Sequence, residues 1–566
     1  MTLAQTPPRL NPSAKSGHHP TSRRKFIGTT AAGGAALLTG GLASLFNESA
    51  NAGTNFPFVE ASIVQLQAAM AAGQLSAREL VQGYLNRIQQ LNPTLHAVIE
   101  TNPNAVAIAA SLDNERRSGH VRGPLHGIPL LVKDNIATRD NMQTTAGSLA
   151  LYGSHVPADA PLIQRLRAAG AIILGKSNLG EWANFRGFDN VYPLAVGWSA
   201  RGGDTKNAYD LSYTSWGSSS GSGAAAAASL CAAAVGTETD GSITGPSAVE
   251  SIFGLKPTLG LISQDGIVPI SHQQDTAGPM ARSVTDVAIL LGIMQTPFGA
   301  VAGHPLPSDY TQFLKHGSLK GKRIGRDVRY FDYSYYGSGI PGDEETVAFA
   351  ENALAVMQGL GATIVDTDTG DVFAYTDDEF TALLFEFKTQ IAQYLQTLSH
   401  TSLRTLEDLI AFDNSHCVQE LVYYGQEIFE LAEPLGDLTD PAYIAARSHA
   451  TTAARAGIDG ALVRDDLDAI VAPHLTNSTG PAVAGYPNFS MPVGIRSSGR
   501  PAGMLMYSTF LEEPQLIAMA YDLEQALQAR QQPQFLGSII PIPNAGLCTQ
   551  PHQPQGKAHL PHGRIF

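Results

Sequence analysis

Gly217-Ser218-Ser219-Ser220-Gly221-Ser222-Gly223, running into five consecutive alanines from Ala224 to Ala228, is the stretch on which the fold turns. Hydroxyls among glycines lead into a helix whose side chains are little more than methyl groups. The positive end of that helix faces the hydroxyls. The plainest reading of such a loop is serine capping a helix after a glycine turn. Downstream stands Gly236-Thr237-Glu238-Thr239-Asp240-Gly241-Ser242-Ile243. Glycine before Ser242 permits a sharp turn, and such a turn can aim several N–H groups the same way, as an oxyanion hole requires. Taken alone it also reads as an ordinary loop. Upstream, the apolar run Ile128-Pro129-Leu130-Leu131-Val132 ends at Lys133. A lysine desolvated there can lose proton affinity and serve as a general base. It can equally be a lysine snorkelling from a strand end.

Outward from these pieces, strands and helices alternate. Ser62–Ala72 and a segment from Ser76 read as amphipathic helices, the second opened by the capping box Ser76-Ala77-Arg78-Glu79. Pro161–Ala169 reads as helix and Ala171–Leu174 as strand. Lys322–Tyr330, Asp343–Gly359 and Ala362–Asp366 read as strand, helix, strand. Helices are expected to dominate from Asp377 to Asp466. Strands follow at Asp468–Pro473 and Phe489–Gly494, and a last helix at Glu513–Arg530. This alternation implies an α/β fold with a sheet covered by helices.

Two motif matches fail on context. Gly170-Ala171-Ile172-Ile173-Leu174-Gly175-Lys176-Ser177 has the letters of a P-loop, but its apolar middle reads as a buried strand, not an open nest of N–H groups. Gly217-Ser218-Ser219-Ser220-Gly221 has the letters of a nucleophile elbow centred on Ser219. The preceding Leu211–Trp216 is too polar for the strand that elbow needs, and no downstream acid and histidine stand out.

Taken together and in order, the remaining motifs resemble the amidase signature family from about residue 60 to residue 530. The family's G-G-S-S-G-G-S appears as Trp216–Ser222 and its G-[ST]-D-T-G-G-S-I-R as Gly236–Thr244, with Ser218 24 positions before Ser242 as in the family. The family's G-I-P-x-x-V-K-D-N is Gly127–Asn135, and its A-G-A-x-x-x-G-K-x-N-x-x-E is Ala169–Glu181. Gly254–Thr258, Gly278–Arg282, Gly485–Asn488 and Pro501–Gly503 match as well. The resemblance implies a single large mixed central sheet covered by helices. It implies Ser242 as nucleophile, Ser218 as the bridging serine and Lys133 as base. Backbone N–H groups of Thr239, Asp240, Gly241 and Ser242 would hold the oxyanion, and Ser219 would orient the network. The implied reaction is hydrolysis of a carboxamide through an acyl-enzyme, with neither metal nor cofactor.

Departures narrow this. Thr244 replaces the family's arginine and Asp240 its glycine. With the S-S-S-G-S-G loop, these resemble the peptide amidase branch, which removes C-terminal amides from peptides. A carboxylate beside a developing oxyanion opposes it, so Asp240 is expected to be paired, with a cation or with backbone N–H groups. Glu250 and Ser251 either line the pocket or fill structure. The alternatives are an amidase of small aryl or aliphatic amides, a non-catalytic amide-binding relative, and a hydrolase using Ser219.

Composition and the termini set the context. The 566 residues carry a formal charge of -14, which disfavours nucleic acid and anionic membrane as partners and leaves a small-molecule or peptide amide. Cys231, Cys417 and Cys548 show no metal-ligand spacing and are expected to be free thiols, with one bridge as the alternative. Arg23-Arg24 precedes a mildly apolar run and then Ala50-Asn51-Ala52, which reads as a twin-arginine signal peptide over 1–52. The expected organisation is a signal at 1–52, a catalytic domain at 53–530 and a peripheral tail at 531–566. The expected location is periplasmic or secreted, with no stable membrane insertion after signal removal.

Overall fold

The apolar run before Lys133 becomes strand β2 (Pro129–Lys133), with all five residues buried. The computed structural model describes residues 56–188, 195–296, 301, 303–332 and 343–549, so the signal region lies outside the described residues. Around β2 come β1 (Val98–Thr101), β3 (Ile172–Ser177), β4 (Trp198–Ser199), β5 (Gly203–Asp204), β6 (Ala233–Glu238), β7 (Phe253–Lys256) and β8 (Thr276–Ala281). The second half adds β9 (Arg323–Asp327), β10 (Thr363–Thr367), β11 (Ala469–Pro473), β12 (Asn488–Ile495) and β13 (Pro501–Tyr507). Strands β4 and β5 pair with each other. Among the described residues the others form one 11-stranded sheet, ordered β1-β3-β2-β6-β8-β7-β12-β13-β11-β9-β10. It is mixed: β3, β2 and β6 are mutually parallel, as are β11, β9 and β10, and antiparallel pairs join the two groups.

Several strands come from segments whose composition hides them. Ala233-Ala234-Val235-Gly236-Thr237-Glu238 and Thr276-Ala277-Gly278-Pro279-Met280-Ala281 are poor in β-branched and aromatic residues, yet both lie buried at the centre of the sheet. Their small side chains leave room for the alanine-rich helix Ser220–Ala227, every residue of which is buried. Gly221 shows how tight that seat is. A β-carbon there would come within 2.3 Å of the Ala97 carbonyl oxygen and 2.4 Å of the Asn178 nitrogen. No other residue fits.

The helices expected between 377 and 466 form one layer. Thr376–Thr397 packs along Pro441–Arg464, with Leu406–Ser415, Cys417–Glu420 and Glu427–Ala432 between them in sequence. Phe380 and Phe387 of the first helix pack with Trp182, Phe185 and Ile270 from the sheet side. Among the described residues no helix is long and apolar enough to cross a membrane.

The stretch after Gln531 is fastened to the body. Phe535 and Leu536 donate their N–H groups to the Ala208 and Tyr209 carbonyls, and Ala545 donates to Val422. Cys417 and Cys548 are joined as a disulfide, with Cα atoms 5.6 Å apart. This corrects the expectation of three free thiols. The partners lie 131 residues apart, and only the tail's return to the helical layer brings them together. Cys231 is free, buried, and pushed by burial up to about 12, which leaves it unreactive. Replacing Cys417 and Cys548 together by serine is expected to lower unfolding free energy by about 3 kcal/mol in urea denaturation, through the freed chain entropy.

Candidate active site

Parallel strands β2 and β6 place Lys133 and Thr237 side by side at their carboxyl ends, where α/β sheets present their sites. Lys133 is fully buried. Its Nζ donates to Ser218 Oγ at 2.7 Å and to the Thr237 carbonyl at 3.1 Å. Burial pulls the ammonium down to about 7, while the charges of Asp275 and Glu238 resist that fall. The lysine is therefore substantially neutral at physiological pH, as a base must be. Ser218 follows a cis peptide bond from Gly217, and its carbonyl accepts the Gly180 N–H at 2.9 Å.

Ser242 sits one residue beyond Gly241, whose φ of +73° belongs to the left-handed region. Ser218, Ser219 and Ser220 are wholly inaccessible, whereas Ser242 is 6% exposed, the one serine of the group that a substrate can reach. Its carbonyl accepts the Ser219 N–H at 3.1 Å, which ties the two loops together. Among the described residues no acceptor takes the backbone N–H groups of Asp240, Gly241 or Ser242. Unpaired amides beside a reachable hydroxyl are what a tetrahedral oxyanion needs.

Ser219 is spoken for. Its Oγ donates to the Thr237 carbonyl at 2.9 Å and accepts the Thr237 N–H at 3.2 Å. It locks the first loop to β6, and it is Ser218, not Ser219, that takes the hydrogen bond from Lys133. Lys176 of the P-loop-like stretch lies in β3, with Nζ bonded to the Ile136 carbonyl and Thr144 Oγ1, so no phosphate cradle forms.

Asp240 is paired, though not in the way expected. Thr479 Oγ1 donates to its carboxylate at 2.6 Å, and the Ser478 hydroxyl also favours its charge. Hydroxyls thus take the place expected for a cation or for backbone N–H groups. Burial outweighs them and pushes the carboxyl up to about 7. Glu250 proves structural: both carboxylate oxygens accept the Ala208 N–H, at 3.3 and 3.1 Å.

Other residues at the site, Glu386 apart, were not singled out from sequence. Glu238 Oε2 accepts the N–H groups of Ile243 and Thr244, at 2.7 and 2.8 Å, and the Thr244 hydroxyl at 3.1 Å. It thereby caps the helix Thr244–Val249 that backs Ser242. Asp275 accepts from Thr239 Oγ1 at 2.6 Å and from the Ile270 and Ser271 N–H groups. Gln274 bridges the Thr239 carbonyl to buried Glu379, and Arg447 joins Gln274 to Glu386. Glu238 and Asp275 lie within or beside quoted motifs and could have been flagged as buried acceptors. Thr479 and Glu379 come from distant segments and carry no local signal.

Comparison with known proteins gives consistent matches. The family model described as Amidase matches residues 79–482. A protein of Arabidopsis thaliana described as a probable amidase is 39% identical over 492 residues, covering 85% of this chain and 93% of its own. One component of the glutamyl-tRNA(Gln) amidotransferase of Thermosynechococcus vestitus is 33% identical over 511 residues, covering 84% of this chain and 99% of its own. The solved structure of native peptide amidase from Stenotrophomonas maltophilia aligns with a TM-score of 0.78 at 46% identity, over 85% of this chain and 99% of that one.

Proposed function

The chain belongs to the Amidase family and is a hydrolase acting on amide bonds, and from that premise we propose that it is an exported enzyme that removes C-terminal amides from peptides with a Ser242–Ser218–Lys133 triad. The observation that carries the triad is the 2.7 Å bond to Ser218 from a buried Lys133, whose ammonium burial pulls down to about 7, beside a reachable Ser242. Ser242 Oγ attacks the carboxamide carbon and passes its proton through Ser218 to Lys133. The unpaired N–H groups of Asp240, Gly241 and Ser242 hold the oxyanion. Lys133 returns the proton, through Ser218, to the departing ammonia. Water then attacks the acyl-Ser242 ester, giving the carboxylate and restoring the serine.

Two observations support the peptide-amide assignment. The chain is 46% identical to a peptide amidase. The nucleophile turn reads Thr239-Asp240-Gly241-Ser242 in place of the family's T-G-G-S. Export is supported by the twin-arginine stretch and by the Cys417–Cys548 bridge, which an oxidising compartment maintains. The same bridge and the charge of -14 weigh against a role with transfer RNA in the cytosol.

The test is ammonia release by residues 53–566 from peptide C-terminal amides, benzamide, indoleacetamide and short aliphatic amides. Peptide amides are expected to lead in kcat/KM by tenfold or more, about the discrimination that one good set of pocket contacts provides. Preference for benzamide or an aliphatic amide would overturn the substrate class. No turnover, with no fluorophosphonate label on Ser242, would overturn the chemistry.

A further inference from the structure

The nucleophile turn poses an electrostatic problem that its own hydrogen bonds leave open. Glu238 and Asp240 lie four and two residues before Ser242, and both are buried. Each keeps one carboxylate oxygen, Glu238 Oε1 and Asp240 Oδ1, with no hydrogen-bond donor among the described residues. Negative charge there raises the energy of an oxyanion forming on the same turn.

Lys256 is the last residue of β7, wholly buried, and among the described residues its Nζ donates one hydrogen bond, to the Pro257 carbonyl at 3.2 Å. Two residues earlier in the strand, and so on the same face, is Gly254. A β-carbon on Gly254 would meet Ser247 Oγ and Ile243 Cγ2, so that face of β7 lies under the helix that follows Ser242. Across the sheet Lys256 is in register with Asn488, and Asn488 with Tyr507. Asn488 Nδ2 reaches the Asn477 carbonyl at 3.5 Å, and Asn477 Nδ2 donates to Tyr507 Oη at 2.8 Å. The same loop supplies Thr479, which holds Asp240. Lys256 thus ends the strand that runs under the helix following Ser242, next to the strand whose Asn488 reaches the segment that holds Asp240.

We propose that Lys256 is a positioning residue of the amidase reaction, its buried ammonium offsetting the carboxylates of Glu238 and Asp240 so that the turn can stabilise an oxyanion. The charged groups that act on it are Glu238 from β6, Glu513 from the helix Glu513–Leu527, and Asp240 from the turn. Those around Asp240 are Glu238, Lys256 and the hydroxyls of Ser478 and Thr479, with Glu379 approaching from the helix Thr376–Thr397. Lys133 feels Asp275 and Glu238 but serves as the base, and Arg447 is paired with Glu386, so among the described residues Lys256 is the cation left to act on Asp240. A unit charge left unbalanced at short range in a buried site is worth one to two powers of ten in rate.

The inference rests on the Ser242 chemistry proposed above. The experiment compares kcat and KM from pH 7 to 9 for wild type, Lys256→Met, Asp240→Asn and the double variant, on whichever carboxamide the wild type hydrolyses. Lys256→Met is expected to lose about a hundredfold in kcat with little change in KM. The loss should deepen from pH 7 toward 8, because Asp240, pushed by burial up to about 7, gives up its proton with no cation beside it, and it should narrow again above about 8, where burial takes the proton from Lys256 in the wild type. Adding Asp240→Asn should restore at least tenfold and flatten that dependence. An unchanged kcat in Lys256→Met would overturn the proposal. So would a loss that is flat with pH and unrelieved by Asp240→Asn, which is how a packing defect behaves. If Lys256→Met does not fold, Lys256→Gln carries the same comparison, with thermal melting as the check on folding. Fluorophosphonate labelling of the wild type at Ser242 reports separately on the underlying chemistry. A labelled wild type with an indifferent Lys256 variant sinks this inference alone.

Discussion

Ser242→Ala is expected to lower kcat for amide hydrolysis by about 10⁴-fold or more, with KM little changed, in an ammonia-release assay. The effect is large because the alanine variant has no atom to form the acyl bond, and water would have to attack the unactivated amide. The residual rate would come from the unpaired N–H groups of the turn and from substrate positioning. The fold should survive, since among the described residues the Ser242 side chain makes no hydrogen bond and the turn is held by Glu238, Ser219 and Thr479. A Ser219→Ala variant is the control. It loses a two-way lock on Thr237 and should weaken activity without abolishing it. Activity that survives Ser242→Ala but dies with Ser219→Ala would reassign the nucleophile.

Lys133→Met is the second large effect, expected at about 10³-fold in kcat/KM, the usual worth of a positioned general base. Its pH signature separates it from a packing defect. The lysine is active when neutral, and its affinity for a proton has been lowered to about 7 by burial. Wild-type kcat/KM should therefore rise with pH through about 7 and level off above it. The methionine variant fills the same buried space and should show no such rise. An equal rise in both would remove Lys133 from the proton path.

Much of this site was legible in the sequence because its parts are local. Lys133 ends an apolar run, Ser218 opens a glycine–serine loop, and Gly241 marks the turn before Ser242. The mixed central sheet followed from the resemblance, while its middle strands did not show in composition. Strands β6 and β8 are built largely of alanine, glycine, proline and methionine. A buried strand covered by a close-packed alanine helix needs small residues, and small residues erase the alternation and β-branching by which strands are read. The pairing of Asp240 was foreseen as a necessity but not in its chemistry. Its partner Thr479 lies 239 positions away, beyond any periodicity. The bridge between Cys417 and Cys548 was illegible for the same reason, since spacing alone carries no distance once a chain folds back.

That bridge changes how the molecule comes apart. Backbone and disulfide together close a ring that holds the helical layer from Cys417 onward, the last sheet strands and the fastened tail. A protease cutting once inside the ring opens it without dividing the polypeptide, and the two pieces stay covalently joined until a reductant separates them. A cut before Cys417 leaves no such covalent link between its two products. Where proteases are present, the C-terminal quarter of the enzyme can thus be nicked and still stay tied to the rest of the chain.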